Sequence, residues 1–428
     1  MENFKILTLP NGVRVLLVPR PESYSAFFAV AVGVGANKEK PAEAGLAHFL
    51  EHLHFDGTVG HRNAIVLQEA FDLLGADNNG YTNYFSTVFH ASASAEKILA
   101  TAKLVSETFF DSLFKNTDIA KEKKVVGEEV KRSWDNPDNF CFFKLRELMY
   151  GQLPAGRPVL GAEDTIKNFN RKRLLAFKKE KYQPTNTLII VAGNFKQKEV
   201  LTFIKHKFGG WVGSGLVVEK SNDSPYDQIK FLQPKIVCYR KEIDQIKLRI
   251  GFPAPKIGQT EEFATGLISA ILAGGLNSRL YKILRHKLGA AYGVSAWHDA
   301  QADYGAFVIA GGFDAGKIEI VLKTIFVELR RLTCELVSAK ELNLVKTKII
   351  SWLLLGLETP EDLASFYGRQ ITLGQIPKTP EEFCRCIRAV SSVEIKKTAQ
   401  AIFKKDGLHL VLVGRGLKKE VFAKLVDL

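Results

Sequence analysis

Two stretches in each half of the 428-residue chain correspond at a constant spacing, and no other feature narrows the possible folds as far. Leu188–Gly193, an apolar run ending in glycine and followed by Glu199-Val200, stands over His409–Gly414, followed by Glu420-Val421. The shift is 221 residues in both places. Gly45-Leu46 stands over Gly266-Leu267 at the same shift. A repeat of this length means two copies of one α/β unit, each burying its own core. The chain is also too long for one core of ordinary size. The expected fold class is therefore α+β, with two homologous domains, each a mostly antiparallel sheet packed with helices. The expected boundaries are 1–208, a linker at 209–226 and 227–428. The linker is read from the glycines of Gly209–Gly215 and the polar run Ser221–Pro225.

Periodicity fills in the first copy. Lys5–Leu9 and Val13–Val18 flank Pro10-Asn11-Gly12 and read as a hairpin, and Ala26–Val34 as a third strand. Helical spacing runs over Ala42–Phe55, Asn63–Leu74, Ala95–Phe114 and Thr117–Trp134, with a strand pair around Gly80–Ser94. Hydrophobic residues make up 46% of the chain and charged residues 25%, which excludes a disordered polypeptide. No apolar run is long enough to span a membrane, Ile349–Leu357 being the nearest. The first residues show no secretory pattern, and five scattered cysteines fit no disulfide framework, so a cytoplasmic location is expected. Cys384 and Cys386 read as plain thiols on a helix. The net charge of +13 raises the question of nucleic acid. Its clusters, Lys121–Lys124, Arg171–Arg173, Lys178–Lys181 and Lys396-Lys397, are short and lie in amphipathic stretches. They read as solvated helix faces, and no nucleic-acid partner is expected.

The chemistry is concentrated in one copy. His48-Phe-Leu-Glu51-His52 has the spacing His-x-x-Glu-His, while the matching positions of the second copy are Ser269, Leu272 and Ala273. On a helix, residues 48 and 52 are one turn apart, so two imidazoles can grip one ion with Glu51 on the same side. Gly45-Leu46-Ala47 and Leu53-His54-Phe55 make the stretch too apolar for a solvent-facing helix. Polar groups buried there need a shared partner, which a metal supplies. A catalytic zinc needs a third protein ligand, and Glu128-Glu129 offers two carboxylates pointing about 100° apart. Glu122, two turns earlier, shares a face with Glu129, which favours Glu129 without excluding Glu128.

These residues, with Asn79-Gly80-Tyr81-Thr82 and Thr87, Asp135–Asp138, Gly156–Gly161, Tyr182, Pro184, Asn186, Asn277–Leu280 and Arg285–Tyr292, make the chain resemble the pitrilysin family of inverted-motif zinc peptidases. The likeness is to the half-length group that includes mitochondrial processing peptidase and its bacterial relatives. It implies zinc, one ion per chain, held by His48, His52 and Glu129. The family's third ligand falls 77 positions after the second histidine, which selects Glu129. The resemblance makes Glu51 the base for the attacking water and Glu122 a supporting acid. It also makes Arg285 and Tyr292 a pair that contacts substrate and stabilises the developing oxyanion. Taken alone, those two would read as a helix-end cation and a strand aromatic. Asn79, Gly80, Tyr81 and Thr82 match an edge strand that pairs with an extended peptide substrate, Gly80 standing where alanine is usual. His54 and His90 match no ligand position and are expected to pack or to line the substrate path. The expected activity is hydrolysis of unfolded peptides inside a chamber closed by a homodimer, a heterodimer being the variant. The rival readings are a catalytically silent, partner-dependent subunit of the same fold and a basic nucleic-acid binder.

Overall fold

The computed structural model describes residues 4–214 and 224–426, so part of the expected linker, residues 215–223, lies outside the described residues. The first copy opens with β1 (Lys5–Thr8), β2 (Arg14–Pro19) and β3 (Ser25–Val32). It continues through α1 (Leu46–His54), α2 (Ala64–Asp72), β4 (Asp77–Thr82), β5 (Thr87–Ser94), α3 (Ile98–Phe110), α4 (Asn116–Asp135) and α5 (Pro137–Tyr150). It ends with α6 (Glu163–Lys167), α7 (Arg171–Lys181), β6 (Thr187–Gly193) and α8 (Gln197–Phe208). The second copy follows as β7 (Lys235–Arg240), β8 (Gln245–Pro253), α9 (Glu262–Ala273) and α10 (Arg279–Tyr281), which runs into a π-helical turn at Lys282–Lys287. Then come β9 (Ala291–Ala300), β10 (Gly305–Asp314), α11 (Ile318–Cys334), α12 (Ala339–Leu355), α13 (Pro360–Thr372), α14 (Pro380–Ala389), α15 (Ser392–Ile402), β11 (His409–Gly414) and α16 (Lys419–Leu425).

The sheets carry the repeat. One has the order β1-β2-β6-β3-β5-β4 and the other β7-β11-β8-β10-β9, the same arrangement apart from the extra β1. In each, a single parallel pair, β2 with β6 or β7 with β11, sits in an otherwise antiparallel sheet. The 221-residue shift carries β2 onto β7 and α7 onto α15 without a slip. β3 and β6 are buried along nearly their whole length because both faces are covered, so they read as continuous apolar runs rather than alternating ones.

The chain folds as two compact units that do not follow the simple order of the copies. Ser133–Gly156, holding α5, belongs to the second unit, and Gly356–Thr379, holding α13, belongs to the first. These two helices are equivalent in the repeat, so the units trade one helix each. In the first unit Leu363, Ala364, Tyr367 and Ile371 of α13 pack on Leu16, Phe27, Ala29, Val88 and Ile190 of the sheet. α5 packs on β8 and β11 of the second unit, with the Cys141 thiol against the carbonyls of Lys247 and Val411. No cysteine is paired, and Cys384 and Cys386 lie on α14.

Two helices differ from the periodic expectation. The stretch from Ala42 does not run into α1, because Gly45 takes a left-handed φ of 88° and the helix starts after it. α3 ends at Phe110 rather than Phe114. Phe114 has a φ of 47° and is the only non-glycine residue with positive φ among those described. Holding a bulky side chain there costs on the order of 1–3 kcal/mol, which the surrounding packing offsets. No helix among the described residues is long and apolar enough to cross a membrane.

Candidate metal centre

The site is built on α1, and its start is held from three sides. Gly45 and Gly161 approach so closely that a Cβ on either would strike the other's backbone, and both have positive φ. The buried Glu39 carboxylate accepts hydrogen bonds from the Gly45 (2.9 Å) and Ala47 (2.8 Å) amides, which would otherwise be free at a helix start. Burial pushes its pKa up to about 8 against the opposing effect of those amides. Arg157 in turn donates to the Glu39 carbonyl at 2.6 Å. Sequence reasoning passed over Glu39. The only trace it leaves is an acid seven residues before an apolar helix whose N-cap, Gly45, offers no capping side chain.

From this base His48 and His52 project one turn apart, their Nε2 atoms 3.2 Å from each other. α4 brings Glu129 across, its Oε2 3.8 Å from His48 Nε2 and 3.7 Å from His52 Nε2. One ligand atom from each of these residues can be chosen so that all three lie within 4.8 Å of one another. Ligands about 2.0–2.2 Å from a tetrahedral zinc are separated by roughly 3.3–3.5 Å, so the cluster fits an ion with little adjustment. The chemistry of the donor set fits as well. Burial, then the neighbouring His52, holds His48 down to about 3, which keeps it a neutral imidazole with a lone pair to offer. His48 Nδ1 is buried without a hydrogen-bond partner. Two imidazole nitrogens and one carboxylate oxygen that converge this closely can share a cation.

The supporting groups fall around that cluster. Glu122, one face of α4 below Glu129, takes a hydrogen bond from His52 Nδ1 at 3.2 Å, fixing the tautomer that leaves Nε2 free as a ligand. Burial opposes charge on both partners, but the bond between them wins, so His52 is raised and Glu122 lowered from their ordinary values. Lys121 bridges Glu122 and Asp56, each at 3.4 Å. Glu128, the neighbouring acid, is exposed and paired with Lys131 at 2.8 Å. An open depression of about 580 Å³, lined by His52, Val125, Glu128, Glu129 and Arg132, gives access.

Glu51 lies beside the two histidines at 8% exposure, and burial raises its pKa. Thr82 donates to Glu51 Oε2 at 3.1 Å. Thr82 stands at the end of β4, the edge strand of its sheet, so the side chain faces Glu51 while one backbone edge of the strand is unpaired within the sheet. Gly80, on the same face, leaves the space that the Phe55 ring and Glu51 Oε1 occupy. A Cβ there would sit 2.7 Å from Phe55 and 3.2 Å from Glu51 Oε1. Asn79 and Tyr81 alternate to the opposite face, where Tyr81 meets the His90 ring at 6.0 Å. Glu361 of α13 reaches Ser92 (3.2 Å) and His90 (3.9 Å) on that face. No spacing rule in the sequence links Glu361 to β5. His54 is fully buried, bonded through Nδ1 to the Leu50 carbonyl at 2.7 Å and surrounded by rings.

Arg285 and Tyr292 belong to the second unit. The Arg285 guanidinium donates to the Tyr292 carbonyl and lies over the Tyr281 ring, while the Tyr292 phenol is 79% exposed.

Known proteins resemble the chain over nearly its whole length. Residues 14–163 match the family model described as "Insulinase (Peptidase family M16)", and residues 168–349 match "Peptidase M16 inactive domain". A protein of Rickettsia bellii (strain RML369-C) named "Uncharacterized zinc protease" is 30% identical over 96% of this chain and 98% of its own length. One from Bacillus subtilis (strain 168), also named as a zinc protease, is 31% identical over 94% of this chain and 96% of its own. A protease from Helicobacter pylori shares the fold at a TM-score of 0.88 and 22% identity, covering 96% of this chain and 100% of that one. A chain of complex III from Candida albicans does so at 0.82 and 14%, covering 99% and 100%.

Proposed function

The chain belongs to the M16 (insulinase) peptidase family, and from that premise we propose that it is a zinc endopeptidase that cuts unfolded peptides. The observation that carries this reading is the convergence of His48, His52 and Glu129 on one point beside a buried carboxylate. Among the described residues this is the one such group of three, which supports a single zinc per chain. Zinc in that place supplies Lewis acidity and makes water acidic enough to ionise near neutral pH.

The rest of the chemistry is done by the chain. An extended peptide pairs with the β4 edge along Asn79–Thr82 and brings its backbone past Glu51. Glu51, with one oxygen tied to Thr82, takes the proton of the attacking water on the other and later delivers it to the departing amine. Glu122 keeps His52 in the required tautomer. Arg285 and Tyr292 take the role that the family resemblance implies, contact with the substrate and stabilisation of the oxyanion. Digestion of a peptide library is expected to proceed with purified protein, to stop with a chelator and to return with added zinc. Cleavage indifferent to the chelator, or none with zinc present, would remove the proposal.

We further propose that the active form is a homodimer enclosing a chamber. α12 supports this, since Leu344, Trp352, Leu354 and Leu355 are each about half exposed or more, an apolar surface of the kind that subunits cover. Sedimentation of the zinc-loaded chain is expected to give twice the monomer mass. A monomer that is fully active would refute it.

A further inference from the structure

Lys178 belongs to a basic run of α7 that reads from sequence as a solvated face, yet its charged end is turned inward. The residue as a whole is half-buried. Nζ donates to the Phe109 carbonyl at 2.6 Å and lies over the rings of Phe114 (5.0 Å) and Phe109 (5.7 Å). Among the described residues no carboxylate comes within ion-pair distance of it, and Asp111 acts on it only from farther away. One of its three donor positions is used. Burial pushes this amine down to about 7, the mark of a cation lacking a counterion.

A cavity of about 440 Å³, within the size range of small-molecule sites, has Lys178 in its lining. Phe109, Phe110, Phe114, Tyr182 and Trp211 are among the residues that line it. Trp211 meets Phe109 and Phe110 edge-on at 5.6 and 5.4 Å, and Tyr182 stacks parallel to Phe109 at 5.9 Å. Rings in these orientations accept another flat apolar body by stacking or edge contact. Lys178 is the half-buried cation of the lining and asks for one negative charge, while Lys179, which also lines the cavity, is exposed and its charge is screened by solvent. A polyanion would bring more charge than it can offset, and a cation would be repelled.

We propose that this cavity binds an aromatic monocarboxylate, its carboxylate paired with Lys178 and its ring held among Phe109, Phe110, Tyr182 and Trp211. Tyr182 also stacks on His54 of α1 at 6.1 Å, so the bound ring rests behind the metal-bearing helix. The site does not depend on the peptidase reading.

Calorimetric titration of the full chain with naphthoate and with uncharged naphthamide tests this. Naphthoate is expected to bind about tenfold more tightly. Lys178→Met should bring the two affinities together, and Leu175→Trp, which fills the cavity, should abolish both. The proposal is overturned if naphthoate shows no saturable binding, if the unaltered chain binds both alike, or if Lys178→Met keeps the preference.

Discussion

Glu51→Gln is expected to keep its zinc and to lose about a thousandfold in kcat, near the upper part of what a positioned general base contributes. The substitution preserves shape and the contact with Thr82 but removes the one group able to take a proton beside the ligand cluster. Glu51 is nearly buried, and its raised pKa moves it toward the operating pH, where a base is most effective. Thr82→Val should show a smaller version of the same effect, about tenfold in kcat with KM little changed, because it frees the carboxylate without neutralising it. Thr82→Ser should restore the rate. Metal content by atomic absorption and single-substrate kinetics suffice. A Glu51→Gln protein that turns over at a normal rate would end the assignment.

Glu129→Gln and Glu128→Gln, compared directly, should separate two adjacent acids by at least about a hundredfold in zinc affinity. Structural zinc sites bind with roughly 10–16 kcal/mol shared among four ligands, so losing one anionic ligand is worth about 3 kcal/mol or more. Glu129 lies within 4 Å of both imidazoles, whereas Glu128 is paired with Lys131 on the solvent side. Competition with a fluorescent chelator reads the difference. Equal affinities in the two variants would move the third ligand elsewhere.

Much of this was legible in the residues themselves. The repeat foretold two sheets of one topology because each copy must bury its own apolar strands, and the His-x-x-Glu-His spacing foretold that His48 and His52 would lie side by side because helix periodicity is fixed. Glu129 needed the face-sharing of Glu122 and the family resemblance together, since periodicity alone separates neighbours only by angle. What stayed hidden depends on side chains that meet from distant segments. Glu39 reaches forward to hold the start of α1, Glu361 lies against a strand it follows by some 270 residues, and Thr82 turns its hydroxyl to Glu51. Lys178 was misleading for a related reason: a lysine in a basic run carries no sign of whether its head group faces water or rings.

The traded helices bear on how the protein is made. The sheet of the first unit has one face covered by α13, whose residues leave the ribosome only after most of the second copy has been synthesised. Until then Phe27, Ala29, Val88 and Ile190 remain without that cover, in a nascent chain whose catalytic motif emerged long before. Synthesis of the first copy and its completion as a folded body are thus separated in time, and the peptidase centre acquires its finished support late in translation.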